Sequence, residues 1–441
     1  MSKSINSLPL MILMGCAAIA TPFNASSQSN ALYQRDLQNP ATSPLGGGFV
    51  SNEAKQLLEL CIELNNQDDR GKSADPQYEA KPGNWSITFD SRHPGNMEWN
   101  KKWPHPASGA DPNNVETNGF GPFNNAWLLL KSKSDPAQYA IAIRGTVGET
   151  RSIIADALIT TTPAQSGIKL HDGRVLPIIF AATPKAELHL GFAYAAFTML
   201  FEKERGILAK LREAKLPDNA KLFITGHSQG AAIATLVHSF LYYAITDPAD
   251  RYKLNLQLKQ ANNSGIQLKS YLIAQPKPGN LQYAEDFARI TKDVSYVINN
   301  DLDPVPQVPL SLQVPSEVIS GIAYENKGKG SLIERLVFDD IQAVTSFNQK
   351  IKNIVAQRST EIIVRRFDEK KMNLDLHYFD GEKSPAAMPA TSLNYILAGQ
   401  LIPLFGQENG GDLYPRVNND PDVLLHHHAT SYRKLIQHQI P

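Results

Sequence analysis

The sequence predicts an α/β fold built around a largely parallel sheet. From residue 193 onward, short apolar runs of strand length alternate with longer runs whose apolar residues follow helical spacing. This alternation is typical of strand-helix-strand crossover units, which place neighbouring strands parallel to one another. With 42% hydrophobic and 20% charged residues, the chain is able to bury a sizeable core. We therefore expect an ordered globular protein.

The first predicted elements precede these crossover units. Ser51 is a candidate N-cap of a helix whose apolar residues follow helical spacing, namely Ala54, Leu57, Leu58, Cys61 and Ile62. One strand candidate, residues 85–89, interrupts a segment at 66–122 that is rich in Asp, Asn, Pro and Gly. The apolar runs at 127–130 and 139–143 flank a turn and predict an antiparallel hairpin.

The crossover units supply the remaining elements. Residues 193–214 predict one helix. After it we predict strands at 222–225, 268–274 and 294–298, and helices at 229–245 and 284–291. Beyond Pro309 the alternation stops, although residues 332–355 again show helical spacing. That amphipathic helix either packs on the sheet or contacts a membrane.

Charge and cysteine content exclude several functions. The 43 basic and 43 acidic residues give no net charge, which argues against a nucleic-acid partner because phosphate binding requires a basic excess. Two cysteines, Cys16 and Cys61, are too few for a disulfide scaffold or a structural zinc site. Cys61 lies on the apolar face of the first predicted helix, so we interpret it as an inert core thiol.

The first residues have the pattern of an export signal. Lys3 precedes an apolar run at 8–20, which is too short for a comfortable membrane span. We assign residues 1–25 to a secretory signal with a candidate A-x-A cleavage site at Ala18-Ile19-Ala20, whereas Leu13-Met14-Gly15-Cys16 indicates a lipoprotein signal ending at residue 15. Both alternatives predict export, to the medium or to the cell envelope as a periplasmic protein or outer-membrane lipoprotein. Residues 26–50 then read as a linker or arm.

The strongest chemical motif is a G-x-S-x-G, formed by Gly226-His227-Ser228-Gln229-Gly230 between a predicted strand and a predicted helix. The turn is so tight that side chains in place of Gly226 and Gly230 would clash, and it exposes the Ser228 hydroxyl in a strained backbone conformation. The helix directs its positive end toward the reacting centre, where the backbone N–H of Gln229 is placed to bind an oxyanion. We interpret His227 as structural.

A serine nucleophile requires a histidine base and a carboxylate that orients it. Asp303 follows the predicted strand at 294–298, where a parallel sheet presents catalytic groups, and Asp301 is the alternative carboxylate. Three adjacent histidines near the C-terminus, His426, His427 and His428, supply base candidates. A metal-binding tract is the alternative reading, although clustered carboxylate or cysteine partners are missing from its sequence neighbourhood.

Five motifs in order indicate a family. They are Ile143-Arg144-Gly145-Thr146, His189-Leu190-Gly191-Phe192, the segment 224–230, the segment 274–280 and the segment 300–306. With them the chain resembles class 3, fungal-type lipases of the α/β-hydrolase superfamily, over about Ser51 to Pro309 plus the C-terminus. The resemblance implies an α/β-hydrolase fold with a mostly parallel central sheet flanked by helices.

The resemblance also assigns roles. It implies that Ser228 is the nucleophile, that Asp303 is the orienting acid, and that Thr146 and Gln229 form the oxyanion hole. Family members often carry a tyrosine a few residues after the catalytic histidine, and Tyr432 therefore favours His427, with His428 and His426 kept as alternatives. No metal and no cofactor are implied.

The implied function is hydrolysis of lipid carboxylic esters through an acyl-enzyme, at an interface and with peripheral membrane contact. A phospholipase A1 and a short-chain carboxylesterase are alternatives on the same fold, and a non-catalytic binding module is an alternative from another class.

Two segments have more than one interpretation. Family members carry a lid between the positions of Thr146 and His189, and the apolar run at 175–182 is either such a lid or a buried strand. We expect residues 51–441 to form a single domain with an insertion at about 316–414, between the acid and the base. This insertion forms either a cap beside the acyl pocket or padding on the back of the sheet.

Overall fold

The computed structural model describes residues 48–65, 83–92, 125–145, 161–170, 175–202, 205–259, 264–309, 376–378, 395–414 and 424–440. The described helices are α1 (Ser51–Asn65), α2 (Leu190–Phe201), α3 (Ile207–Ala214), α4 (Gln229–Thr246), α5 (Leu281–Ile290) and α6 (Ala429–Gln439). The described strands are β1 (Trp85–Asp90), β2 (Trp127–Ser132), β3 (Gln138–Ile143), β4 (Thr161–Pro163), β5 (Gln165–Leu170), β6 (Val175–Ile179), β7 (Glu187–His189), β8 (Lys221–His227), β9 (Gln267–Ile273), β10 (Ser295–Asn300), β11 (Leu376–Tyr378) and β12 (Gln400–Leu404). The predicted signal at 1–25 and most of the linker lie outside these ranges.

A seven-stranded sheet forms the centre of the described structure, in the order β1-β2-β3-β8-β9-β10-β12. The first three strands are antiparallel neighbours, and this confirms the predicted hairpin of β2 and β3. Every neighbouring pair from β3 to β12 is parallel. The predicted mostly parallel sheet is therefore confirmed.

The sheet is buried on both faces because its strands are apolar at successive positions. Leu222 and Ile224 of β8 pack with the core residues of α2, α3, α4 and α5 on one face. Phe223, between them in the chain, packs with α1 and α6 on the other. The period of two in side-chain direction along a strand produces this division. Helices thus cover both faces, as parallel sheets require.

The structure corrects one predicted helix. Residues 193–214 form two helices, with α2 ending before Glu202 and α3 beginning after Gly206. The Glu202 side chain accepts a hydrogen bond from the backbone N–H of Arg205, and the Glu202 carbonyl accepts one from Gly206 at 3.0 Å. A Cβ added to Gly206 would lie 2.4 Å from that carbonyl oxygen. Gly206 was the sequence signal for this close turn.

The apolar run at 175–182 contributes a strand to the structure. Its first five residues form β6, which pairs antiparallel with β5. Ile178, Phe180 and Ala181 are buried in the core with α4, and the Phe180 ring lies 5.7 Å from that of Phe240. Of the two interpretations, the structure therefore favours the buried strand.

The insertion is described only in part, and the predicted helix at 332–355 lies outside the described residues. β11 pairs with β5 in a separate three-stranded sheet. β12 lies beside β10 and buries Ile402 and Leu404 on the α1 and α6 face of the central sheet. Pro403 stands at the sheet edge, where a residue without an N–H is tolerated. In the described part of the insertion, the alternating apolar residues of 400–404 build an edge strand, and the choice between cap and padding for the insertion as a whole stays a prediction.

Four parallel strands end at the same edge of the sheet. Gly145 follows β3, Ser228 follows β8, Gln275 follows β9 and Asp303 follows β10. This edge is where open α/β sheets place their binding and catalytic groups. Among the described helices, none is long and apolar enough to cross a membrane.

Candidate active site

Ser228 stands in a tight turn between β8 and α4. Its φ of 59° and ψ of −135° lie outside the regions that side-chain-bearing residues favour, a conformation that costs on the order of 1–3 kcal/mol. The turn closes because its glycines permit very close backbone approaches. A Cβ on Gly226 would lie 2.2 Å from the carbonyl oxygen of Gly230, and one on Gly230 would lie 2.3 Å from that of Ile143. The side chain of Ser228 does not cap α4, so its hydroxyl is available to other partners.

One histidine of the three contacts this serine. His427 Nε2 lies 2.8 Å from Ser228 Oγ, and His427 Nδ1 lies 2.8 Å from Asp303 Oδ2. Because the Asp303 carboxylate accepts a hydrogen bond, the neutral ring carries its hydrogen on Nδ1 and leaves Nε2 to accept from the Ser228 hydroxyl. A hydroxyl, an imidazole and a carboxylate in this order can activate the hydroxyl as a nucleophile.

The Asp303 carboxylate is buried and hydrogen bonded through both oxygens. Oδ2 also accepts from the Tyr432 hydroxyl at 2.8 Å, and Oδ1 accepts from the backbone N–H of Val305 at 2.9 Å. The alternative carboxylate, Asp301, is exposed and accepts from the backbone N–H of Gly406 at 2.7 Å. Of the two acidic residues, the structure brings Asp303 to the histidine.

The other two histidines of the triplet have different contacts. His426 Nδ1 lies 3.1 Å from the hydroxyl of Tyr414, and the His426 carbonyl accepts from the Asn300 side chain at 3.1 Å. His428 is the N-cap residue of α6. Within the described ranges, no group of three or more His, Cys, Asp or Glu side chains is arranged to hold a metal ion.

His227 contacts the loop that carries His427. Its Nε2 lies 2.7 Å from the backbone carbonyl of His427, and the two rings are 4.8 Å apart. Burial, together with the neighbouring His427 and His428, lowers the pKa of His227 well below its ordinary value. The ring is therefore neutral, and because a carbonyl only accepts, Nε2 carries the hydrogen and donates it.

Tyr432 also supports the site, by a contact with Asp303 that the sequence did not predict. In the sequence, its spacing served only to favour His427 among the three histidines. Its hydroxyl accepts from the Asn300 N–H at 2.9 Å and donates to Asp303. Burial, reinforced by the Asp303 charge, raises the pKa of Tyr432 well above its ordinary value, so the hydroxyl remains a donor. Its position on α6, after the histidine triplet, was the available signal.

The two oxyanion candidates are Thr146 and Gln229. Thr146 lies outside the described residues, and the preceding Gly145 is the last described residue after β3. Gln229 is the first residue of α4 and is buried beside Ser228. Its backbone N–H belongs to the first turn of the helix, which carries the positive end of the helix dipole.

The mostly parallel sheet flanked by helices, with a serine at a strand-to-helix turn, defines an α/β-hydrolase fold. Residues 140–313 match the family model described as lipase (class 3). This match confirms the resemblance over that range and supports a carboxylic ester hydrolase of the lipase type.

Solved structures of lipases are similar to the chain at low identity. The M37 lipase is 18% identical with a TM-score of 0.38, over 88% of this chain and 92% of its own. Lipase II from Rhizopus niveus is 16% identical with a TM-score of 0.35, over 59% and 75%. The Rhizomucor miehei triacylglyceride lipase is 15% identical with a TM-score of 0.33, over 59% and 74%. A search of curated proteins gives no significant match.

Proposed function

We propose that the protein is an exported serine hydrolase that cleaves carboxylic esters of lipids through an acyl-enzyme. The observation that carries this proposal is the line of contacts from Ser228 Oγ through His427 to Asp303, with both distances at 2.8 Å, in a chain whose residues 140–313 match class 3 lipases. A geometry within hydrogen-bond reach is the first requirement of nucleophilic catalysis by serine.

In the proposed mechanism, Ser228 attacks the ester carbonyl while His427 takes its proton. Asp303 orients the imidazole and stabilises the imidazolium that forms. The developing negative charge on the carbonyl oxygen is bound by the backbone N–H of Gln229 and by Thr146, the second proposed donor. His427 then protonates the leaving alcohol, and water, activated by the same histidine, releases the acid. No metal or cofactor takes part in these steps.

Replacement of Ser228 tests this mechanism directly. We expect Ser228→Ala to lower kcat for a p-nitrophenyl acyl ester by about 10⁴-fold or more, because the variant has no nucleophile. The melting temperature is expected to match that of the wild-type protein, because the substitution removes only one hydroxyl and keeps the Cβ. A fluorophosphonate should label wild-type protein on Ser228, with the site read by mass spectrometry, and leave the variant unlabelled. Full ester hydrolysis by the folded variant would exclude the proposal, and a wild-type protein without labelling or activity would favour the binding module.

The substrate class requires a second experiment. We propose a lipid ester at an interface, supported by the family match, and we expect the purified protein to hydrolyse a long-chain triglyceride emulsion faster than phospholipid vesicles or a soluble short-chain ester. The zero net charge suggests that interface contact is mainly apolar. Preference for phospholipid with release of the sn-1 acyl chain would instead identify a phospholipase A1. Preference for the soluble ester would identify a carboxylesterase.

Export also belongs to the proposal and is supported by the apolar run at 8–20. N-terminal sequencing of the protein from the producing cells is expected to begin near residue 21 if the A-x-A site is cut, or at a lipid-modified Cys16 if the lipoprotein signal is used. Palmitate labelling separates the two. Recovery of the uncut chain in the cytoplasm would contradict export.

A further inference from the structure

Helix α1 reaches the active-site edge of the sheet through its last residue. Asn65 is buried, and its side-chain oxygen accepts a hydrogen bond from the backbone N–H of Gly145 at 3.0 Å. The two residues are 80 positions apart in the chain. The contact therefore joins an N-terminal helix to the loop that leaves β3 beside the proposed nucleophile.

Gly145 lies directly against the nucleophile elbow. A Cβ added to Gly145 would lie 2.7 Å from the carbonyl oxygen of His227 and 3.3 Å from the Cβ of Ser228. The preceding N–H, that of Arg144, donates to the carbonyl of Ala126 at 2.9 Å and continues the pairing of the β2 and β3 hairpin. At Gly145 the backbone N–H donates to the Asn65 side chain instead of to a neighbouring strand. A side chain therefore fixes the backbone beside Ser228.

The far end of α1 is held independently. Glu53, in its first turn, accepts from Lys269 at 2.5 Å, from Lys221 at 3.0 Å and from the Tyr271 hydroxyl at 2.7 Å. These three partners stand on β8 and β9, and Lys269 is buried. Along the helix, its apolar residues pack on the same face of the sheet. Asn65 thus extends from an element that is fixed on the sheet at its first turn and along its apolar face.

We infer that Asn65 is a positioning residue for ester hydrolysis: it holds the Gly145 backbone against Ser228 and against the His227 carbonyl. The inference rests on the proposed function, in which Ser228 attacks the ester carbonyl. Without the Asn65 oxygen, the buried N–H of Gly145 has lost its acceptor and the loop must shift to find another. A misplacement of about 1 Å near the reacting atoms can cost on the order of 100-fold in rate, so the loss of this indirect contact should be measurable.

The test compares two replacements of Asn65 with a control on the same helix. Asn65→Leu keeps the shape of the side chain and removes the acceptor, and Asn65→Ala removes both. Cys61→Ala, one turn earlier, alters another buried contact with the sheet, since Cys61 Sγ lies 3.6 Å from Thr225 Oγ1, and leaves Gly145 untouched. Each protein is assayed for kcat and KM on a soluble p-nitrophenyl ester, for inhibition by an alkyl boronic acid, and for melting temperature.

We expect both Asn65 variants to lose about 10-fold in kcat, with KM changed less than 2-fold, because a shifted Gly145 backbone displaces Ser228 from the geometry that the transition state requires. Binding of the boronic acid, which forms a tetrahedral adduct on serine, should weaken by a similar factor. Cys61→Ala should lower the melting temperature and keep kcat. A folded Asn65→Leu protein with wild-type kcat and inhibition would overturn the inference while leaving the proposed function intact. An inactive wild-type protein would instead reject the proposed function itself.

Discussion

Ser228 and His427 meet at 2.8 Å, yet they are held in place in different ways. The position of Ser228 is set within a few residues of the chain, where β8 ends, two glycines permit a tight turn, and α4 begins. His427 lies in a loop whose position depends on residues far from it in sequence. His227 binds its backbone carbonyl, and Asp303 binds its ring.

This difference teaches which part of the site is sensitive to which kind of change. A local turn fails when a single atom is added inside it, because the backbone has no room to relax. A loop that is held by several hydrogen bonds to residues distant in sequence shifts by a small step as each bond is removed. Replacements at the two regions should therefore differ in both size and character.

The largest effect is expected at the elbow itself. The Cβ introduced by Gly230→Ala would lie 2.3 Å from the carbonyl oxygen of Ile143, which is strand backbone, so β3 and α4 must separate. We expect a loss of about 3 kcal/mol or more in the free energy of unfolding, together with loss of activity. Urea unfolding measures the first, and Ser228→Ala serves as a control because it retains the glycine. An alanine variant with wild-type stability would show that the turn is less tight than described.

A smaller effect is expected when the support of the base is removed. His227→Phe keeps a ring in the buried site but donates no hydrogen bond to the His427 carbonyl, so the base should move relative to Ser228. We expect about 10-fold lower kcat and a loss of about 2 kcal/mol in the free energy of unfolding.

The control for this variant is another buried histidine. His238 on α4 has its Nδ1 2.8 Å from the Ser270 hydroxyl, and its ring lies 5.6 Å from that of Phe287 on α5. His238→Phe should lose similar stability and keep kcat. Equal losses of kcat in the two variants would indicate a general effect on folding.

The smallest effect is expected from the hydroxyl that supports the acid. Tyr432→Phe removes one of the hydrogen bonds to Asp303 and the acceptor of the Asn300 N–H, while His427 and Val305 remain bonded to the carboxylate. We expect kcat to fall about 5-fold, which corresponds to roughly 1 kcal/mol. Tyr283→Phe, which removes a buried hydroxyl bonded to Ser239, should leave kcat unchanged. A larger loss for Tyr432→Phe than for His227→Phe would reverse the comparison.

Much of the fold was predictable because its signals are local. The hairpin, the parallel strands and the helix after Ser228 each have their own apolar pattern, and the structure agrees with them. The edge strand β12 was missed because its pattern, Ile402 and Leu404 apolar around Pro403, becomes a strand only when β10 is present to pair with it. The break at Gly206 was not predicted because the apolar residues on both sides of it follow helical spacing.

The candidate site was also predictable only where its sequence signal is local. The elbow around Ser228 has a sequence signature, whereas the choice among three adjacent histidines depended on where the loop lies relative to Asp303. Successive side chains in a loop point in different directions, so the loop backbone decides which histidine faces Ser228. His227, which donates to the His427 carbonyl and holds that backbone, lies 200 positions away in sequence. Asn65 left no signal at all, since a polar residue at the end of a helix usually faces solvent.

The distance along the chain between Ser228 and His427, 199 positions, also has a consequence for biosynthesis. During translation Ser228 is made first, Asp303 next and His427 last, so a nascent polypeptide that ends soon after Asp303 contains the elbow without its proposed base. Contacts of such long sequence separation form slowly. If the proposed function holds, hydrolase activity can appear only after the loop that carries His427 and helix α6 dock on the sheet.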